Sequence, residues 1–205
     1  MTTAARFEAL GTATVAEASA EARLVLARLR PISPGIRVAG PARTVRFPPG
    51  DNLALHYAIA AASPGDVIVA DCGGNVDTGP FGEIMALACM LRGISGLVIN
   101  GAVRDSAEIA ALEFPVFSRG IDIRGTRKSN RGEIGVTVNI GGVRIAPGDM
   151  IIADSDAVIM VPCASVDAAL AAAEARAVNE TQMMERLRAG ETTLQILGLD
   201  KEEPK

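Results

Sequence analysis

Arg104 and Asp105 stand side by side just after a short apolar run, Leu97-Val98-Ile99, and an Asn100-Gly101 turn. An arginine grips a carboxylate through two parallel N–H bonds. An aspartate beside it can hold a hard cation through oxygen. An Arg-Asp dipeptide is equally an ordinary surface ion pair. This one follows a buried-strand pattern, and the loops outside the carboxyl ends of such strands are where open α/β sheets bind ligands. Twenty residues separate Arg104 from an earlier pair, Gly82-Glu83, at the start of a helical pattern. The stretch from Asp71 to Asp105 therefore reads as one unit. Its Gly-rich loop and its Arg-Asp pair form two lips of a single pocket.

The helix that positions the first lip spans Phe81 to Leu91. Ile84, Met85, Leu87, Ala88 and Leu91 give one apolar face at helical spacing. Gly79-Pro80 precedes it and Gly93 stops it. The unpaired N–H groups of its first turn lie at the positive end of the helix dipole, so they attract a carboxylate or phosphate. Gly82 lets a ligand come close to the backbone. The strand Leu97–Ile99 carries the second lip.

The rest of the chain supplies the frame. Residues 4–29 read as helix, interrupted at Leu10 to Thr14, with Thr12 or Thr14 as cap of a second helix over Val15 to Ala18. Glu17 and Glu21 read as solvated helix charges. Pro31 to Gly35 is a turn, Arg37 to Phe47 a strand or broken strand, Pro48 to Asp51 a turn, and Asn52 to Ala62 a helix. Val67 to Asp71 is a continuous apolar strand of the kind buried on both faces. Its lead-in, Pro64-Gly65-Asp66, recurs as Pro147-Gly148-Asp149 before Met150 to Asp154, a reused turn-and-strand device.

Beyond Asp105, Ala107 to Leu112 is a short helix, and Phe114 to Phe117 and Ile121 to Ile123 are strands. Gly125 to Arg131 is a basic loop with Arg127 and Lys128, beside Arg124. It reads as a solvated loop, with flanking of an anionic substrate as the other possibility. Two hairpins follow: Val136 to Ile140 with Val143 to Ala146 around Gly141-Gly142, and Met150 to Ala153 with Val158 to Val161. Pro162 ends the sheet. Val166 to Arg188 is a long Ala-rich helix stopped by Gly190, Glu191 to Leu199 is an appendage, and Lys201 to Lys205 is a charged tail.

A parallel α/β middle followed by antiparallel hairpins predicts an α/β fold with mixed sheets, as two packed sheets with helices outside. The chain has 205 residues and no linker, so it reads as one domain over 1–205. Residues 166–199 form a C-terminal helical extension suited to packing on a neighbouring subunit. Composition is 49% hydrophobic but 3% aromatic, an aliphatic core. A net charge of −4 without a basic run gives no footprint for nucleic acid. No apolar run is long enough to span a membrane and Met1 opens no signal-peptide pattern, so the expected location is cytoplasmic. Cys72, Cys89 and Cys163 lack metal-type spacing and read as buried, reduced thiols. His56, the single histidine, reads as a packing residue on an Ala-rich helix.

Several chemistries fail on residues. The loop Gly73-Gly74-Asn75-Val76-Asp77-Thr78-Gly79 is not a dinucleotide fingerprint, and no Gly-Lys-Ser/Thr P-loop exists. No nucleophile elbow accompanies His56. Lys128 is the only lysine before the tail, which argues against a Schiff base. Carbonyl chemistry here would need a metal as electron sink.

The markers Ala13 to Ala18, Gly82-Glu83-Ile84, Asn100-Gly101-Ala102-Val103-Arg104-Asp105, Pro115-Val116-Phe117, Gly142-Val143 with Pro147-Gly148-Asp149, and Leu187 to Glu191 carry a resemblance. Over roughly Thr12 to Leu199 the sequence resembles the 4-hydroxy-4-methyl-2-oxoglutarate aldolases, class II pyruvate aldolases of the RraA-like superfamily. That superfamily also contains RraA-type regulators of ribonuclease E. The resemblance implies a swivelling β/β/α-type fold, an αββα sandwich, assembled as a homotrimer or hexamer. It implies Mg²⁺ or Mn²⁺, with Asp105 as direct ligand and with Glu83 and a neighbouring subunit's Glu180 acting through water. Glu174 and Glu185 share Glu180's helix and stay open as alternatives.

Substrate binding falls on Gly82, Glu83, Ile84, Met85 and Arg104, and catalysis on Arg104 and Glu83. The implied reaction cleaves a 4-hydroxy-2-oxo dicarboxylate to pyruvate and a 2-oxo acid, with oxaloacetate decarboxylation as a side activity. The family's usual setting is aromatic catabolism. The alternative implied by the same superfamily is a non-catalytic, protein-binding regulator of ribonuclease E. A full acidic set and the long C-terminal helix favour the enzyme.

Overall fold

A computed structural model describes residues 1–200. In chain order the elements are α1 (Thr3–Ala18), β1 (Arg23–Leu24), β2 (Arg30–Pro31), β3 (Val38–Arg46), α2 (Leu53–Ala61), β4 (Val67–Asp71), α3 (Glu83–Leu91), β5 (Gly96–Asn100) and β6 (Ala102–Val103). They continue with α4 (Ser106–Ala111), β7 (Val116–Ser118), β8 (Gly120–Ile121), β9 (Glu133–Ile134), β10 (Val138–Ile140), β11 (Val143–Ile145), β12 (Met150–Ala153), β13 (Val158–Val161), α5 (Val166–Arg188) and α6 (Thr193–Leu197).

The main sheet is mixed and runs β1-β13-β12-β3-β4-β5-β7-β2, with β9 added on β3. Its centre is parallel: β3 pairs β4, β4 pairs β5 and β5 pairs β7. The β12–β13 hairpin adds antiparallel to β3. The two expected packed sheets are thus one curled sheet, because β3 belongs to both halves. Its long strand pairs β12 through Val38–Pro41 and β4 through Ala42–Arg46. Side chains from both halves meet inside the curl, where Val67, Val98 and Phe117 share a core with Ile151, Val158 and Met160. The β10–β11 hairpin, turning on Gly141 and Gly142, plugs this core with Val138, Ile140 and Ile145. Helices α2 and α3 pack outside the parallel half, and α1 and α5 outside the antiparallel half. The layers are therefore α, β, β, α.

The repeated Pro-Gly-Asp turns have the same local chemistry. Asp66 Oδ2 accepts the N–H of Ser63 at 2.9 Å, and Asp149 Oδ2 accepts that of Ala146 at 2.8 Å. Each turn closes three residues back and delivers a strand beside β3.

Several expectations are corrected. Helix does not run through 4–29: it ends at Ala18, and Arg23–Leu24 instead pairs with β13. The interruption at Gly11 is real, with φ 79° and ψ 166°. Neither threonine caps the second segment; Asp154, from the β12–β13 turn, does. It accepts Thr12 N–H at 2.8 Å and the Thr12 hydroxyl at 2.7 Å. Glu17 and Glu21 are not simply solvated, since they pair with Arg176 and Arg23. The strand expected over Phe114 to Phe117 starts at Val116, and that over Ile121 to Ile123 is Gly120–Ile121, paired with β6.

His56 is exposed, because Ala54, Leu55, Ala58 and Ile59 supply the buried face of α2. Cys72 and Cys89 are buried, while Cys163 is exposed just past the sheet. Among the described residues, no helix is long and apolar enough to cross a membrane. The expected tail, Lys201 to Lys205, lies outside the described residues.

Candidate active site

Strands β4 and β5 end in register, Asp71 opposite Asn100. The chain then turns through Gly101 into β6 and delivers Arg104 and Asp105. Asp105 is left-handed, with φ 53° and ψ 43°, at the N-terminus of α4. That conformation is uncommon for a residue with a Cβ, although aspartate tolerates it better than most. It turns the carboxylate back onto the start of α3, where Asp105 Oδ2 accepts the Glu83 N–H at 3.1 Å. Arg104 Nε stands 3.6 Å from the same oxygen. The first lip is tied down as well: Arg104 N–H donates to Phe81 O at 2.9 Å, and Asn52 Nδ2 donates to Pro80 O at 2.8 Å. The two lips meet.

Gly82 is required by this closeness. A Cβ there would overlap Asp105 Oδ2 and lie 3.1 Å from both Cγ and Nε of Arg104. Of the helix-start amides, Met85 N–H is used within the first turn, on Gly82 O at 3.0 Å. Glu83 N–H is taken by Asp105. Gly82 and Ile84 N–H have no partner among the described residues, so they are the donors left for a bound anion.

The expected apolar face of α3 is divided. Met85, Ala86 and Cys89 are buried, whereas Ile84 and Leu91 are 81% and 80% exposed and Leu87 is exposed beside them. Both sides of this helix are apolar, and the sheet covers only one.

Glu83 is exposed on the first turn, and its backbone N–H is the one that Asp105 Oδ2 accepts. Glu180 lies in the opposite helical layer. There Arg176 Nε approaches it at 2.7 Å and the Thr14 hydroxyl donates to it at 3.3 Å. Glu174 is clamped by Arg6 at 2.6 and 2.7 Å, and Glu185 is exposed. One chain thus unites Gly82, Glu83, Ile84, Arg104 and Asp105, and leaves the three glutamates of α5 elsewhere. Among the described residues, no three His, Cys, Asp or Glu side chains converge as a metal cage.

Three features escaped the sequence reading. Arg124 is chelated by Asp122 at 2.9 and 2.7 Å and reaches Asp77 at 3.3 Å. The Arg124 side chain, foremost, holds the Asp122 carboxyl down at about 2. Arg124 O accepts Gly79 N–H at 2.9 Å, which fastens this segment to the Gly-rich loop.

Next, the basic loop is exposed, as expected of a solvated loop, but its main chain is pinned. Asp51, 4% exposed, accepts the hydroxyl and N–H of Ser129 at 2.6 and 2.8 Å, Asn130 N–H at 3.1 Å and Leu53 N–H at 2.9 Å. Burial pushes its carboxyl up, but these donors outweigh it and bring it down to about 2. Finally, a pocket of about 650 Å³ opens between the Pro48–Asp51 turn and this loop. A turn aspartate just ahead of an apolar-periodic helix, Asp51 before Asn52, was the available signal.

The sequence profile of the RraA-like family (Aldolase/RraA) matches residues 12–160. A Halalkalibacterium halodurans protein named "Putative 4-hydroxy-4-methyl-2-oxoglutarate aldolase" is 38% identical over 157 residues, 77% of this chain and 75% of that one. The fold is similar to that of an uncharacterised protein from Pseudomonas syringae pv. tomato, with a TM-score of 0.87 and 28% identity over 96% of this chain and 93% of the other. It is also similar to the RNA-processing inhibitor RraA from Thermus thermophilus, with a TM-score of 0.69 and 26% identity over 74% and 92%. The chain belongs to the RraA-like family.

Proposed function

We propose that the protein is a divalent-metal-dependent aldolase that cleaves 4-hydroxy-4-methyl-2-oxoglutarate, or a related 4-hydroxy-2-oxo dicarboxylate, to pyruvate and a 2-oxo acid. The observation that carries this reading is the meeting of Arg104, Asp105 and the open amides of Gly82 and Ile84 at one helix start. Family membership and the aldolase name of a 38% identical relative support it.

The donor set suits Mg²⁺ or Mn²⁺. Mg²⁺ keeps several waters and needs only one or two protein carboxylates, so the lack of a cage is no obstacle. Asp105 would hold the ion directly, Glu83 through water, and Glu180 of a neighbouring copy through water, in a trimer or hexamer. When bound, the cation supplies positive charge at the ketone oxygen as the carbon–carbon bond breaks.

The chain does the rest. Arg104 takes the carboxylate of the 2-oxo acid end, and the Gly82 and Ile84 N–H groups fix its orientation. As C3–C4 breaks, the bonding pair moves towards the former ketone oxygen, and Arg104 stabilises the negative charge that develops there. The 4-hydroxyl gives up its proton as its carbon becomes the carbonyl of the leaving 2-oxo acid, and Glu83 orients the water that receives it. Protonation of the enolate at C3 completes pyruvate. Loss of CO₂ from oxaloacetate passes through the same enolate and is the expected side activity.

A binding role like that of the RraA relative is the second reading, favoured by the exposed apolar side of α3. Pyruvate release from 4-hydroxy-4-methyl-2-oxoglutarate and from oxaloacetate, followed with Mg²⁺ and with EDTA, separates the two. Metal-dependent release from both is expected. No release from either, by folded and metal-loaded protein, would favour the binding role.

A further inference from the structure

The segment Ala13 to Ala18 closes α1, and two of its side chains reach across to α5. The Thr14 hydroxyl donates to Glu180 Oε2 at 3.3 Å, and Glu17 pairs with Arg176. Arg176 in turn sets its Nε 2.7 Å from Glu180 Oε1, one helical turn further on. That Nε is buried, and its approach to Oε1 is a close ion pair rather than a directed hydrogen bond. Glu17, Arg176, Glu180 and Thr14 thus form one row across the contact of α1 with α5, and Arg176 stands between two carboxylates.

This row sets Glu180 apart from the other glutamates of its helix. Glu174 has both oxygens clamped by Arg6. Glu185 is exposed, with no ion-pair or hydrogen-bond partner among the described residues. Glu180 has one partner on each oxygen, and its side chain stays 37% exposed. A carboxylate offers roughly four lone-pair sites, so this one is held from behind and keeps acceptor capacity in front. Arg176 and Glu180 also line a cleft of about 460 Å³ floored by Ala18, Ala172 and Ala175, so the carboxylate borders open space.

We propose that Arg176 is a positioning residue: it aims the Glu180 carboxylate that, from a neighbouring copy, holds a water of the divalent cation. The proposal rests on the reading of Glu180 as the acid that crosses the subunit boundary. A loose glutamate on a helix surface gives up rotamer freedom when it takes up a partner. One already fixed by Arg176 and Thr14 gives up less. Groups that orient a metal's ligands commonly change metal affinity by about 10–100-fold. Arg176 acts through Glu180 and touches neither substrate nor cation, while Glu17 anchors its far end.

Binding of Mn²⁺, followed as loss of the free-ion EPR signal, reads this role without turnover. Glu180→Gln and Arg176→Ala should each weaken Mn²⁺ binding by about tenfold or more. The double variant should be no weaker than either alone, because both changes remove the same contact. Arg176→Lys, which keeps the charge, should recover part of the loss. Glu174→Gln breaks the other clasp between α1 and α5 and should leave the affinity unchanged. Light scattering and a thermal melt establish that each variant is folded and assembled as the wild type is. Unchanged affinity in Glu180→Gln would overturn the crossing acid, and the role of Arg176 with it. Loss in Glu180→Gln with full affinity in Arg176→Ala would overturn the positioning role alone. Additive losses in the double variant, or a loss in Glu174→Gln as large as that in Arg176→Ala, would do the same, since Arg176 would then serve helix docking.

Discussion

Asp105 is held in a conformation that residues with side chains avoid, and the site is built on that strain. Its left-handed φ aims Oδ2 at the Glu83 N–H and at Arg104, and Gly82 leaves room for it. Strain of this kind costs on the order of 1–3 kcal/mol and persists where the surroundings enforce it. Gly82→Ala should therefore cost activity well beyond its effect on folding. Pushing Asp105 and Arg104 apart by even ~1 Å should lower turnover by about 100-fold, while overpacking costs ~1–3 kcal/mol of stability. Steady-state kinetics beside a thermal melt checks this, and an unchanged kcat would count against the geometry. Residue types made Arg104 and Asp105 legible in the sequence. The strain was not legible, because only the fold forces it.

At the scale of elements, two carboxylates from distant turns do work that local pattern reading assigns to neighbours. Asp154 caps the second segment of α1 from 142 residues away. Asp154→Ala should destabilise the protein by about 1–3 kcal/mol, as loss of a cap and of a bond to a charged group, read as a lower denaturant midpoint. Asp51 pins the basic loop, and its lowered carboxyl pKa fixes the sign of its pH dependence. Relative to the ordinary value of 3.8, the stability it adds is complete above about pH 4 and is lost as pH falls towards 2. The melting curves of wild type and Asp51→Asn should therefore differ at neutral pH and converge near pH 2.

Strands β4, β5, β12 and β13, the two hairpins and the full span of α5 were legible because apolar runs and breakers mark them. The stretch 19–30 was not. Its alanines and leucines have helical spacing, but Leu24 pairs with β13 while Val25, Ala27 and Leu29 enter the core inside the curl. Tertiary pairing overrides local propensity there.

For the whole molecule, the αββα layering explains why one chain leaves its helices unevenly covered. The curl uses the inner face of the sheet for itself, so each helix layer has only one sheet surface to pack on. On α3 the surplus is Ile84, Leu87 and Leu91, beside the candidate site. The proposed trimer or hexamer would cover such a surface and bring a neighbour's Glu180 within range. Ile84→Asp combined with Leu91→Asp should shift the protein to a smaller species in light scattering and lower activity with it. A wild-type monomer with full activity would contradict this assembly.

Under the proposed function, Arg104 and the cation that Asp105 would hold stabilise the enolate of a 2-oxo acid. The most direct measurement is exchange of the methyl protons of pyruvate with D₂O, followed by NMR, since it needs no assumption about the leaving half. Wild-type protein with Mg²⁺ or Mn²⁺ should wash out the methyl signal, EDTA should stop it, and Arg104→Ala should slow it by about 10²–10³-fold. A methyl signal that persists with folded, metal-loaded wild-type protein, or exchange that Arg104→Ala leaves at full rate, would rule out this role for Arg104 and Asp105.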